Sequence, residues 1–213
     1  IIFNDNLFLR NQLKFKRATG DIRITNYSNP ITYFYNLKLT NNEIDFTFNG
    51  LVDKEKDIIK AFSYVDYVDM RYITDYLPKS FMKVDTAKYF KKSFLKGSTK
   101  GGNIYIEGSL SKYPFYVDLS GISYAKLPIE DFDVDYKKGW IPFKNINGTA
   151  YFKKNKAFFK SENFKILETL LSDGNLYIDD VKNTELWIEG QLNGPFRNLL
   201  EFSNEANLTK LSQ

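Results

Sequence analysis

Tyr33-Phe34-Tyr35-Asn36-Leu37-Lys38-Leu39-Thr40-Asn41-Asn42-Glu43-Ile44-Asp45-Phe46-Thr47-Phe48 carries the periodicity that decides the fold. Tyr33, Tyr35, Leu37 and Leu39 fall on every second position, and after Asn41-Asn42 the apolar Ile44, Phe46 and Phe48 alternate with Asp45 and Thr47. A period of two puts one set of side chains on one face of a strand and the other set on the opposite face. Asn tolerates the positive φ of a tight turn, so the stretch reads as a hairpin.

The same alternation continues outward in both directions. Leu13 and Phe15 alternate with Lys14 and Lys16; further on come Ile104, Ile106 and Leu110, then Phe132, Val134 and Tyr136, then Ile146, Ala150 and Phe152. A second hairpin turn is expected at Lys154-Asn155-Lys156, and the last strands are expected at Leu176 and Ile178 and at Leu186, Ile188 and Leu192. Helical signals are few. Between Asp85 and Lys96 the aromatics Tyr89, Phe90 and Phe94 recur at near-helical spacing, with Asp85 or Thr86 as a cap, Gly97 as a stop, and the Tyr76-Leu77-Pro78 break before it. Weaker helices are expected from Asp53 to about Phe62 and from Pro195 to about Phe202.

Composition removes whole classes of chemistry. The 213 residues include 19 Phe, 15 Tyr and 2 Trp but no Cys and no His, which excludes disulfides, thiolate nucleophiles, Cys/His zinc sites and any base that needs imidazole. The length suits one large domain or two small ones. A net charge of +4 is too mild and too scattered to argue for nucleic acid. Apolar runs such as Ile31 to Tyr35 are short beside the roughly 20 residues that span a bilayer. The opening Ile1-Ile2-Phe3, without Met or a basic leader, reads as part of a longer or processed protein, with any membrane anchor outside it.

The polar clusters read as surface. Glu130, Asp131, Asp133 and Asp135 lack the loop spacing of a calcium site and interleave with Phe132, Val134 and Tyr136, so the three Asp are expected on the wet side of a strand. A glycosidase would need two carboxylates converging across a cleft, and every Asp and Glu is equally explained by solvent exposure. Lys88, Lys91, Lys92 and Lys96 are expected to make a cationic face on the short helix. Gly101-Gly102 precedes a strand and reads as a turn, not a phosphate loop. No cofactor, metal or catalytic residue is expected. An internal echo links Ile106-Glu107-Gly108-Ser109-Leu110, followed by Pro114-Phe115, to Ile188-Glu189-Gly190-Gln191-Leu192, followed by Pro195-Phe196.

What is left is the apolar face of the strands. Such a face either packs on a second sheet or lines a groove for something long and greasy, and alternation alone allows both.

From Tyr76 onward the order of landmarks resembles the AsmA-like proteins, most closely their YhdP branch. The landmarks are Tyr76-Leu77-Pro78, the aromatic helix from Tyr89 to Gly97, the strand and turn from Gly102 to Phe115, Tyr136-Lys137-Lys138-Gly139-Trp140-Ile141-Pro142 with Ile146-Asn147-Gly148, and Leu186 to Gly194. The resemblance covers residues 76 to 205. It departs from the family pattern at Tyr89-Phe90, where the pattern has Trp-Leu, and at Ile141, which intrudes between Trp140 and Pro142.

The resemblance implies a fragment of a periplasmic protein anchored in the inner membrane. Its repeated β-groove units would conduct phospholipid towards the outer membrane, with no catalysis. The expected fold is mainly β: a curved antiparallel sheet forming an open groove, with one to three short helices. Residues 76–213 would form one groove unit with its helix near 85–96, and residues 1–75 a β segment of the same groove or of a preceding unit. The expected lining is Ile104, Ile106, Leu110, Phe132, Val134, Tyr136, Ile146, Ala150, Phe152, Ile178, Ile188 and Leu192, with a polar convex face behind it. Expected partners are phospholipid acyl chains, neighbouring β-groove units of the longer chain and envelope proteins. The rival reading is a closed β-sandwich that binds protein partners.

Overall fold

Half-apolar strands must share a face to hide it from water, and here they do so by lying side by side. The computed structural model describes residues 2–3, 11–25, 28–77, 79, 83–113, 115, 120–136, 141–179 and 187–205. Pro78, Pro114, Lys137 to Trp140, Leu186 and the side chain of Ile188 lie outside this description. Short strands β1 (Ile2–Phe3) and β2 (Leu13–Lys14) pair with each other. The remaining strands are β3 (Arg17–Thr25), β4 (Ile31–Thr40), β5 (Ile44–Asp53), β6 (Ile58–Asp69), β7 (Phe94–Thr99), β8 (Gly102–Ser109), β9 (Ile122–Val134), β10 (Phe143–Lys153), β11 (Lys156–Ile166), β12 (Thr169–Ile178) and β13 (Trp187–Asn193). They form one antiparallel sheet of eleven strands with β3 and β13 at its edges, so it is not a closed barrel.

The sheet is a meander. Strands β7 and β8 both lie between β6 and β9: Val68 and Asp69 face Thr99 and Ser98, and Val65 to Ile58 face Gly102 to Ser109. They are one strand broken at Lys100-Gly101, so the eleven strands occupy ten lanes in chain order. Strands on both sides of residue 75 belong to this sheet. The expected helix from Asp53 to Phe62 is not there; Asp53 ends β5, a turn follows, and β6 begins at Ile58.

Helical segments take the place of the hairpin turn between β6 and β7: a 3₁₀ turn (Met70–Tyr72), α1 (Ile73–Tyr76) and α2 (Val84–Ser93). Asp69 accepts hydrogen bonds from the Arg71 amide at 3.1 Å and from its guanidinium. The Arg71 guanidinium therefore holds the Asp69 carboxyl below its ordinary range. Helix α2 starts one residue before the expected cap, with Asp85 inside its first turn, and ends at Ser93. Gly97 is not its stop: it lies within β7 at φ +118°, where an added Cβ would come within 2.7 Å of the Phe132 Cα. Lys96 likewise belongs to β7 and not to the helix face. Helix α3 (Phe196–Glu205) closes the described chain and matches the helix expected after Pro195.

Bulges bend the strands, and the Asn and Asp residues carry them. The register slips around Asn36, Asp131, Asn145 and Asp173, and each of these residues has a positive φ. Extra residues of this kind increase local twist and leave an amide without a ladder partner. A side chain on the neighbouring strand supplies one. Asn49 Oδ1 accepts from the Asn36 amide at 2.8 Å, Asn147 Oδ1 from the Asp131 amide at 3.0 Å, and Asp133 Oδ1 from the Asn145 amide at 2.8 Å. The acidic cluster thus has structural work. Lys96 lies 2.7 Å from Asp131 and 3.6 Å from Asp133, and Lys100 lies 2.8 Å from Glu130.

Candidate functional site

Strand register assembles the inner face from the residues that alternation marks as apolar. One row crosses eight lanes: Leu37, Phe48, Ser63, Ile104, Ala125, Phe152, Ala157 and Ile178 stand opposite one another in turn. Beside it run Ala18, Leu39, Phe46, Val65 and Gly102, then Leu127, Ala150, Phe159 and Leu176, reaching the backbone of Ile188. No charged side chain falls in either row.

Between β8 and β11 the two rows complement each other in size. The pairs within successive lanes are Ile104 with Gly102, Ala125 with Leu127, Phe152 with Ala150, and Ala157 with Phe159. Large and small alternate along the rows and across them. A checkerboard of this kind fills its own gaps and leaves a floor of even height.

One end of the floor is closed. Leu37, Leu39, Val65, Leu127 and Ile129 are buried in a cluster with Phe15, Ile44, Val68 and Met70, and Ile73, Tyr76 and Phe94 pack against it. Val134, Phe143, Ile146, Phe164, Ile166 and Leu171 form a second buried cluster, and Phe94, Phe132 and Phe159 touch both. The Tyr76 hydroxyl donates to Glu43 at 2.7 Å and accepts from Asn41 at 2.7 Å, which ties α1 to the β4–β5 turn. Burial pushes this phenol well above its ordinary value. Away from the helices Ile104, Ile106, Ala125, Ala150, Phe152, Leu176 and Ile178 are only half-buried. Beyond them Phe115 covers Gly108 and Gly121.

The twelve residues expected to line a groove divide accordingly. Ile104, Phe132, Ala150 and Phe152 pack on the first cluster, and Val134, Ile146, Phe132 and Tyr136 belong to or pack on the second. Ile106 is opposite Ala61 and Ser123, Ile178 is opposite Ala157, and Leu192 is opposite Leu171 on the edge strand. Leu110 is not on a strand, since β8 ends at Ser109 and Leu110 opens a 3₁₀ turn. The contribution of β4, β5 and β6 was not in that set, although Leu37, Leu39, Phe46 and Phe48 show the same alternation.

The opposite face corrects a second expectation: it is not simply polar. Phe62 and Tyr64 are exposed there, Tyr151 stacks on Phe158 at 5.8 Å, and Phe158 stacks on Tyr177 at 5.0 Å. Trp187, 61% exposed, stands opposite Tyr177. Cross-strand aromatic pairs stabilise a sheet by about 0.2–1 kcal/mol each, which explains rings on a wet face. Ion pairs share that face, such as Lys38 with Asp45 at 3.1 Å and Asp66 at 3.0 Å. The hydrogen bond to Asp66, then that to Asp45, raises the Lys38 pKa.

Across residues 2–213 the sequence matches the model of the YhdP protein family. The chain belongs to the YhdP protein family. No curated protein and no solved structure matches it. The family is one of cell-envelope proteins. Among the described residues no helix is long and apolar enough to cross a membrane, and no group of three or more acidic residues could hold a metal ion.

Proposed function

We propose that this chain is a segment of a conduit that carries phospholipid across the periplasm, with acyl chains lying on the inner face of the sheet. The supporting observation is the uncharged double row that crosses from β4 to β12. With lanes about 4.8 Å apart, the eight lanes of this double row make a path of roughly 34 Å, against about 15 Å for the hydrocarbon of one leaflet. A pocket for a single lipid has no need of that length. Each methylene moved from water onto such a floor gains about 0.8 kcal/mol, with no polar contact to fix its position, so affinity stays even along the path. In this reading no residue is catalytic, the chain is anchored to the inner membrane by a segment outside the sequence, and the free edges β3 and β13 pair with neighbouring units.

A photocrosslinker at Ile106, in chain exposed to vesicles of phosphatidylethanolamine and phosphatidylglycerol, tests this. Mass spectrometry is expected to find crosslinked phospholipid at Ile106 and none at Lys153 on the opposite face. Ile106→Asp is expected to abolish capture elsewhere on the floor while circular dichroism stays unchanged. Folded protein with no capture at Ile106 sinks the proposal, and an Ile106→Asp variant that unfolds points to a closed core.

A further inference from the structure

The two copies of the internal echo separate by exposure. On β8 and its corner, Tyr105 and Leu110 are half-buried and Phe115 is buried; on β13 and its corner, the counterparts Trp187, Leu192 and Phe196 are all exposed. What differs is a strand. Tyr105 stands between Phe62 on β6 and Tyr124 on β9, whereas Trp187 has Tyr177 on β12 and a free edge on its other side. Large apolar side chains gathered along one edge in this way form a patch, and such a patch marks an interaction site.

The β8 corner shows what fills such an edge. Along β9, Tyr124 faces Tyr105, Ser123 faces Ile106 and Ile122 faces Glu107. Gly121 then lies beside Gly108, and the Phe115 ring covers both glycines. A Cβ on Gly121 would run into that ring. The glycine is therefore the seat of the phenylalanine, and the phenylalanine closes over the strand that brings it.

We infer that the free edge of β13 binds an antiparallel strand of the same chemistry as β9, with Phe196 as the residue that closes over it. The strand it fits has an aromatic residue opposite Trp187, a small residue opposite Ile188 and a glycine beside Gly190. Main-chain hydrogen bonds along the open edge supply affinity, and alternate side chains supply selection. Phe196 follows Gly190 by six residues and Phe115 follows Gly108 by seven, so both rings leave the chain at the same end of their strand. The inference names the partner for the edge pairing that the conduit reading invokes; it rests on that pairing and not on lipid.

The probe is a fluorescein-labelled peptide of β9, Ser120 to Pro128, titrated with the 213-residue chain and read by fluorescence anisotropy. Trp187→Ala/Phe196→Ala is expected to weaken binding about tenfold or more, and Ile22→Ala/Ile24→Ala, on the opposite edge, less than about twofold. All four side chains are exposed, so both variants keep the fold, which circular dichroism checks. A peptide carrying Gly121→Val is expected to lose about tenfold as well, because indiscriminate edge pairing would tolerate valine and a seated phenylalanine does not. No binding of the peptide, equal losses in the two variants, or an unaffected Gly121→Val peptide overturns the inference. Self-association of the chain through β3 that the peptide cannot compete, seen by light scattering, overturns it too. Phospholipid crosslinking at Ile106 reads the conduit separately: strand binding without lipid capture removes the conduit and keeps the docking edge, and lipid capture without strand binding does the reverse.

Discussion

Ile106-Glu107-Gly108 and Ile188-Glu189-Gly190 are the same three residues on two strands, each followed by Leu and then by Pro-Phe. Their surroundings differ completely. On β8 the chain continues to Phe115, which is 0% exposed and wedged over Gly108 and Gly121. On β13 it continues to Phe196, which is 70% exposed, with Leu192 at 46%. Strand β8 has neighbours on both sides, whereas β13 has β12 alone. A local sequence can specify strand and corner, but a neighbouring strand decides whether the corner becomes core.

The largest expected contrast is between the two phenylalanines. Phe115→Ala removes a ring from a closed site and should cost about 3–5 kcal/mol, while Phe196→Ala should stay within about 0.5 kcal/mol. Urea denaturation of both variants measures the difference, and equal losses would break the comparison. A smaller contrast is expected at the glycines. Gly108 sits at φ +151°, and an added Cβ would meet the Phe115 ring at 2.8 Å and the Gly121 Cα at 2.9 Å; at Gly190, which lacks a positive φ, it would meet the Leu171 side chain at 2.9 Å and the Gly174 Cα at 3.1 Å. Gly108→Ala should therefore cost about 2–3 kcal/mol and Gly190→Ala less than about 1 kcal/mol. Adding Phe115→Leu to Gly108→Ala should recover part of the loss, which thermal denaturation can follow.

The smallest effect concerns Tyr113, which packs edge-on to Phe115 at 5.7 Å and has Gly194 at the equivalent place in the second copy. Burial pushes its phenol from 10.0 up to about 12. The folded state holds the proton more tightly than the unfolded one, so this contribution is complete below pH 10 and is lost as pH rises through about 12. Tyr113→Phe should flatten the alkaline decline in stability and remove a late component from the phenolate absorbance titration. An unchanged titration would mean that the β8 corner is as open as the β13 corner.

The parts of the fold that were legible in sequence are those whose signals are local. Asn41-Asn42 marked one hairpin, Lys154-Asn155 another, and Tyr89 and Phe90 the helix that became α2, while Phe94, expected on the same helix, opens β7. Strand β6 was hidden because it inverts the usual pattern, with small Ala61 and Ser63 inside and Phe62 and Tyr64 outside. Which face is inner depends on the whole sheet, and no window of residues contains that information. The positive-φ residues Asp131 and Asn145 also break the period of two, so Asp133 reads as a wet-face residue when its oxygen accepts from the Asn145 bulge amide, as the Asn147 oxygen does from that of Asp131. Lys88 and Lys91 were legible only as part of a helix face, because Thr74 and Asp75 reach α2 through the fold.

The unbroken lane order has a consequence for how the molecule is made. Each strand from β4 to β13 pairs with one that precedes it in the chain, and the long insertion at residues 70–93 still returns the chain to the β6 edge it left. A chain emerging from its N-terminus thus finds its template complete at every step. Nearest-neighbour pairing also keeps loop closures short, which favours fast assembly for a sheet of this size. Apart from the outer edge of β3, which stays open throughout, the growing edge is the one left unpaired at each step, and the next strand to emerge covers it.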